Sequence, residues 1–122
     1  MTPSELYDHV AAHLPDGELD AARVTRHVLT ALAARLTPAE GAELGTELPE
    51  ELGHILAAAH GTGRLDRDEL IEHMAEALDL DDTDAEETLT AVLAGIREYL
   101  EPVMPIEQML ALLPPDLARL MS

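Results

Sequence analysis

Glu5, His9 and His13 recur at intervals of four residues near the start of the chain, with Asp16 shortly beyond. Residues four apart share one face of a helix, so a carboxylate and two imidazoles would stand in a row. Two imidazoles at that spacing can bind one Zn²⁺ or Ni²⁺, with a carboxylate completing the set. On a helical wheel the two histidines fall at the rim of an apolar stripe made by Leu6, Val10 and Leu14, where a side chain reaches either a cleft or water. Glu5, His9 and His13 are therefore the candidate metal ligands. The same residues also suit an ordinary surface helix, because Glu5 completes the capping box Thr2-Pro3-Ser4-Glu5.

Other constellations carry less. Glu51-Leu52-Gly53-His54 has the Glu-x-x-His spacing of di-iron bundles, but those need a second such pair and two further glutamates on long helices. Asp79-Leu80-Asp81-Asp82-Thr83-Asp84 resembles a calcium loop only superficially: the sixth and twelfth positions hold Asp84 and Thr90 where glycine and glutamate are required. These acids suit a helix N-terminus instead, where capping groups and negative charge are favoured. The only serines are Ser4 and Ser122, and lysine and cysteine are absent, which removes most nucleophiles, Schiff-base chemistry, disulfides and thiolate metal sites. Gly61-Thr62-Gly63 lacks the context of a phosphate loop. No catalytic residue and no cofactor is expected.

Such side chains need helices to hold them, and the chain spells out its helices twice. Ser4-Glu5-Leu6-Tyr7-Asp8-His9-Val10-Ala11-Ala12-His13-Leu14 lies without a gap over Asp68-Glu69-Leu70-Ile71-Glu72-His73-Met74-Ala75-Glu76-Ala77-Leu78, 64 positions later. The match continues through Val28-Leu29 over Val92-Leu93 and Leu36 over Leu100, and Leu48-Pro49-Glu50-Glu51-Leu52 finds Leu113-Pro114-Pro115-Asp116-Leu117. Only Glu69 and His73 recur from the Glu/His row, since Ala77 stands opposite His13, so the row is not duplicated. Caps and prolines predict four helices in each copy: 3–14, 20–36, 38–47 and 49–59, then 67–78, 84–100, 105–112 and 114–121. Thr37-Pro38-Ala39-Glu40 and Thr83-Asp84-Ala85-Glu86 read as capping boxes, and Asp66 as the cap of the helix at 67.

In the long helices Val24, Val28, Leu32 and Leu36 make one stripe, and Thr88, Val92, Ile96 and Leu100 its counterpart. Ala31 and Gly95 share a repeat position beside that stripe, which predicts a close crossing of the two long helices there. Arg23, Arg26 and Arg35 form a basic edge expected to pair with acids of the other copy, and Met104, Met109 and Met121 read as core filler. His60-Gly61-Thr62-Gly63 is the expected flexible joint.

Leu and Ala supply 41 of the 122 residues, while β-branched and aromatic residues are scarce. The fold class expected is all-α: a compact bundle of two tandem repeats of about four helices each, with an approximate internal twofold. A unit of about 60 residues buries a marginal share of its surface, so the copies are expected to share one core as a single domain over 1–122 (repeat one 1–60, linker 61–65, repeat two 66–122). Against 7 arginines stand 25 acids, giving a net charge of −18, which repels a phosphate backbone and argues against nucleic-acid or anionic-membrane partners. Apolar runs are short and the N-terminus is acidic, so neither a signal peptide nor a membrane span is expected, and a cytoplasmic location fits.

The ordered set Ala21-Ala22-Arg23-Val24-Thr25-Arg26-His27-Val28-Leu29, Leu36-Thr37-Pro38-Ala39-Glu40 and Leu48-Pro49-Glu50-Glu51-Leu52 resembles the bacterial family called domain of unknown function 2267. The resemblance implies an all-helical bacterial protein, a tandem of two units each ending in Leu-Pro-x-x-Leu, with no assigned activity and no catalytic residues to carry over. The family pattern places a basic residue just after that motif, whereas this chain has Gly53 and Ala118. The function expected is a non-enzymatic helical protein-interaction or regulatory module, whose partner is another protein with a basic surface. The alternative is a small-molecule or metal-binding protein built on the Glu/His row.

Overall fold

The computed structural model describes residues 3–14, 20–61 and 67–102, together with positions 107 and 111. Those residues form helices α1 (Pro3–His13), α2 (Ala21–Ala33), α3 (Pro38–Thr46), α4 (Glu50–Ala57), α5 (Arg67–Leu78) and α6 (Asp82–Leu100), with no strand among them. The all-α expectation holds. The helices anticipated over 105–112 and 114–121, apart from Glu107 and Ala111, lie outside the described residues. So do the caps at Thr2 and Asp66, Asp16, the linker after Gly61, and Met104, Met109 and Met121.

Local chemistry explains the boundaries. Asp20 caps α2 by accepting the Ala22 N–H at 3.0 Å. Thr37 and Glu40 form the capping box at the start of α3, with the Glu40 N–H on the Thr37 hydroxyl at 3.2 Å and the Thr37 N–H on the Glu40 carboxylate at 3.0 Å. At α6 the cap is Asp81, which accepts the Asp84 N–H at 2.7 Å, so the helix starts two residues earlier than the Thr83 capping box implied. A stronger acceptor lay just upstream, and Thr83 sits inside the first turn.

Between α5 and α6, Asp79 adopts a left-handed backbone (φ 56°), and the Leu80 N–H reaches back to the Ala75 carbonyl at 2.9 Å. That is a Schellman ending with aspartate in the place usually given to glycine.

α2 ends at Ala33, three residues short of expectation, because Thr37 precedes a proline and takes an extended conformation. The chain still turns helically to Leu36, which is fully buried. The loose carbonyls at this end are met from elsewhere: the His60 N–H bonds Ala33 O at 3.1 Å, and the Gly61 N–H bonds Leu36 O at 2.7 Å. The expected flexible joint therefore begins with two fastened residues. A side chain at position 61 would strike the Arg35 backbone at 2.2 Å, so glycine is what lets the strap lie flat.

Buried apolar side chains from both halves form one cluster. Equivalent positions behave alike: Leu6 and Leu70, Val10 and Met74, Val28 and Val92, and Leu36 and Leu100 are all sealed from solvent. Each such side chain contributes on the order of 1.5–3 kcal/mol relative to exposure. α1 makes its broadest contact with α6, while α2 lies among α1, α4 and α5 and meets α6 less. The close approach expected between α2 and α6 at Ala31 and Gly95 is instead made by α1. A methyl group on Gly95 would stand 2.7 Å from the Val10 Cα. Gly95 has the packing role the sequence suggested, but against a different helix.

α3 and α4 are joined by a second glycine seam. A side chain on Gly53 would meet the Gly45 carbonyl oxygen at 2.4 Å, and one on Gly41 would meet that of Leu56 at 2.2 Å. Glycine at position 53 is thus required by this crossing.

Candidate functional site

The Gly95–Val10 contact sets the register of α1 on α6. Glu98, three residues beyond Gly95, then stands between His9 and His13, which flank Val10 on the facing helix. His13 Nε2 lies 2.8 Å from Glu98 Oε1, and His9 Nδ1 lies 3.4 Å from Glu98 Oε2. One carboxylate joins two imidazoles across the seam. All three side chains are part exposed (36–45%), so water and salt screen the contact. The hydrogen bond from His13 holds the Glu98 carboxyl below the usual carboxylate range; partial desolvation opposes this, and the charge of His13 and the His9 contact add to the lowering.

Tyr99 neighbours the group. Its ring meets that of His9 edge to face, centroids 6.5 Å apart at 74°. Burial, and then the negative charge of Glu5, push the Tyr99 phenol upward. Glu5 makes no hydrogen bond or ion pair with either histidine. The structure brings His9 and His13 together as expected, but the carboxylate they meet is Glu98 in place of Glu5. Among the described residues, no group of three or more His, Cys, Asp or Glu side chains is arranged to hold a metal ion. Each imidazole faces a different oxygen of the Glu98 carboxylate.

His13 also forms part of the wall of an open groove of about 580 Å³ along α6, with Thr83, Glu86, Glu87, Thr90, Ala91 and Ala94. A second depression of about 370 Å³ shares Thr83 and Glu86 with it and continues to Asp68, Ile71 and Glu72 of α5 and Asp82 of α6. Asp68, Glu72, Asp82, Glu86 and Glu87 give this joined surface its charge.

The remaining sequence candidates separate. Glu51 pairs with Arg26, whereas His54 faces Glu50 at 3.9 Å on a strongly exposed surface, so the Glu-x-x-His spacing assembles no centre. The Arg26–Glu51 pair also corrects the expected pairing across the copies, because it ties α2 to α4 within the first copy. Arg35 turns back to donate to the Ala31 carbonyl at 2.9 Å. The acids of 79–84 serve the helix ending and the cap already described.

Glu98 was missed in the sequence because it stands 85 residues from His13. Gly95 was the available signal: a glycine within a helix marks a close neighbour, and the residue three further on shares that face.

No helix among the described residues is long and apolar enough to cross a membrane. A family model described as uncharacterized conserved protein (DUF2267) matches residues 4–120. The chain matches no curated protein and no solved structure at significance.

Proposed function

We propose, from the premise that this chain belongs to the DUF2267 family, that it is a non-enzymatic interaction or regulatory module binding another protein through the acidic face of α5 and α6. The observation that carries this reading is the pair of adjoining depressions, where Glu72, Asp82, Glu86 and Glu87 stand on one continuous surface. A chain with a net charge of −18 steers basic surfaces toward such a face and repels acidic ones. The reading includes a bacterial cytoplasmic setting, as the family resemblance implies. It also includes one ancestral unit copied and fused about an approximate twofold. Support comes from the matched burial of equivalent residues, and from α1 leaning on α6 as α5 leans on α2, although the first contact is broader.

The test is capture of partners on the native protein at low and moderate salt, identification by mass spectrometry, and affinity measurement with a Glu72→Gln/Glu87→Gln variant. The expected partner has a basic surface and binds several-fold more weakly to the variant and at higher salt. Capture of nothing above background at either salt, or equal affinity for both proteins, overturns the reading.

A further inference from the structure

We propose that the groove along α6 is the seat of a basic, amphipathic helix of the partner protein. This rests on the reading of α5 and α6 as a binding face and names the kind of segment bound there. Thr83, Glu86, Thr90 and Ala94 recur every three or four positions, so the groove follows one face of α6 for about 16 Å at the helical rise. Ala91 is 5% exposed and Ala94 is half-buried, so their methyl groups make the floor. Thr83, Glu86, Glu87 and Thr90 are exposed and make the rim.

This face of α6 already carries a helix. α1 seats on Gly95, one helical turn beyond Ala91, with Val10 close against it. The last residue of α1 is His13, which also lines the groove. The groove therefore extends a seat whose other part α1 fills. Small side chains serve both parts: glycine admits the α1 backbone, and the two alanines leave room for a second helix at a short interaxial distance.

The occupant must bring its own backbone hydrogen bonds. Methyl groups offer none, and the Thr90 hydroxyl already donates to the Glu86 carbonyl at 2.9 Å. An extended segment would leave N–H and C=O groups facing this floor without partners, whereas a helix satisfies them internally.

Charge sets the chemistry of the partner helix. Glu86 and Glu87 stand toward the Thr83 end, beside Asp82 and Glu72 of the adjoining depression, while the alanines lie toward His13. A matching helix places small or aliphatic side chains over Ala91 and Ala94, and arginine or lysine one to two turns away, opposite the acids. A second copy of this chain, with its net charge of −18, is repelled from such a seat.

The experiment titrates the full chain with a synthetic, end-blocked peptide of about fourteen residues, bearing leucine and alanine on one helical face and arginine toward one end. The controls are a scrambled peptide of the same composition and two variants, Glu86→Gln/Glu87→Gln and Ala94→Gln, with helical content checked by circular dichroism. Amide NMR shifts on the native protein locate the peptide without any substitution. The expected result is that the amphipathic peptide binds several-fold more tightly than the scrambled one and shifts amides between Thr83 and Ala94. Each variant should weaken it several-fold. Equal binding of the two peptides, shifts that lie away from α6, or binding of neither peptide overturns the helical seat. Equal binding that the Glu86→Gln/Glu87→Gln variant still weakens overturns the seat alone and upholds the broader acidic face. Binding that ignores those glutamines overturns both.

Discussion

Gly95 of α6 lies against the backbone of Val10 in α1, close enough that a methyl group there would stand 2.7 Å from both the Val10 Cα and its Cγ2. The obstructing backbone cannot rotate aside, so the helices themselves must separate. Gly95→Ala should therefore destabilise the protein by about 1–3 kcal/mol through overpacking, outweighing the roughly 1 kcal/mol of helix propensity that alanine returns. Denaturant unfolding checks this. A more stable variant would show that α1 can shift without loss.

Gly53 faces Gly45 across the α3–α4 crossing, and the Gly45 carbonyl that a new side chain would strike already accepts the Leu48 N–H at 3.2 Å. Gly53→Ala should cost about 1–3 kcal/mol. Gly53→Arg should cost more, because a longer side chain meets the same carbonyl. Thermal melts followed by circular dichroism would rank the two.

Asp79 holds a left-handed backbone at the end of α5, a conformation that L-residues other than glycine adopt at a cost. Its negative charge also sits at the end of a helix that prefers positive charge. Asp79→Gly should stabilise the protein by about 0.5–1 kcal/mol, seen as a higher melting temperature with unchanged helical content.

Thr25 and Thr88 are completely buried, and among the described residues neither hydroxyl has a hydrogen-bond partner. A buried hydroxyl left unpaired costs on the order of 1–3 kcal/mol. Thr25→Val and Thr88→Val should each raise stability by about 1 kcal/mol. A loss on either substitution would mean that the hydroxyl is satisfied in solution.

Glu98 should titrate below the ordinary 4.5 of a glutamate, because the imidazoles favour its charged form. The sign follows directly. A carboxyl whose pKa is lowered by folding contributes stability above its unfolded pKa and loses it as pH falls through the folded value. The acid limb therefore lies below pH 4.5. Carboxyl carbon NMR should show His13→Ala returning the Glu98 midpoint toward 4.5 further than His9→Ala does, since the His13 bond is the larger cause.

The elements were legible because their signals are local. Thr37 and Glu40 are three residues apart, Pro38 and Pro49 forbid helix interiors, and Leu6, Val10, Leu70 and Met74 recur at helical spacing. Short-range sterics and hydrogen bonds operate whatever the rest of the chain does. Where two local signals competed, as at Asp81 and Thr83, the boundary moved by two residues without disturbing the buried stripe.

The site was half legible. His9 and His13 share a helix face by arithmetic, and the chain alone determined that they stand together, that the fold is helical and that its surface is acidic. Their carboxylate depended on which helix α1 would lie against, and only the tertiary structure decided that. Both α2 and α6 offered apolar stripes on which α1 could pack, and hydrophobic attraction is not directional. Close backbone approach at Gly95 goes with a register in which Glu98, and not Glu5, is the carboxylate that meets both histidines.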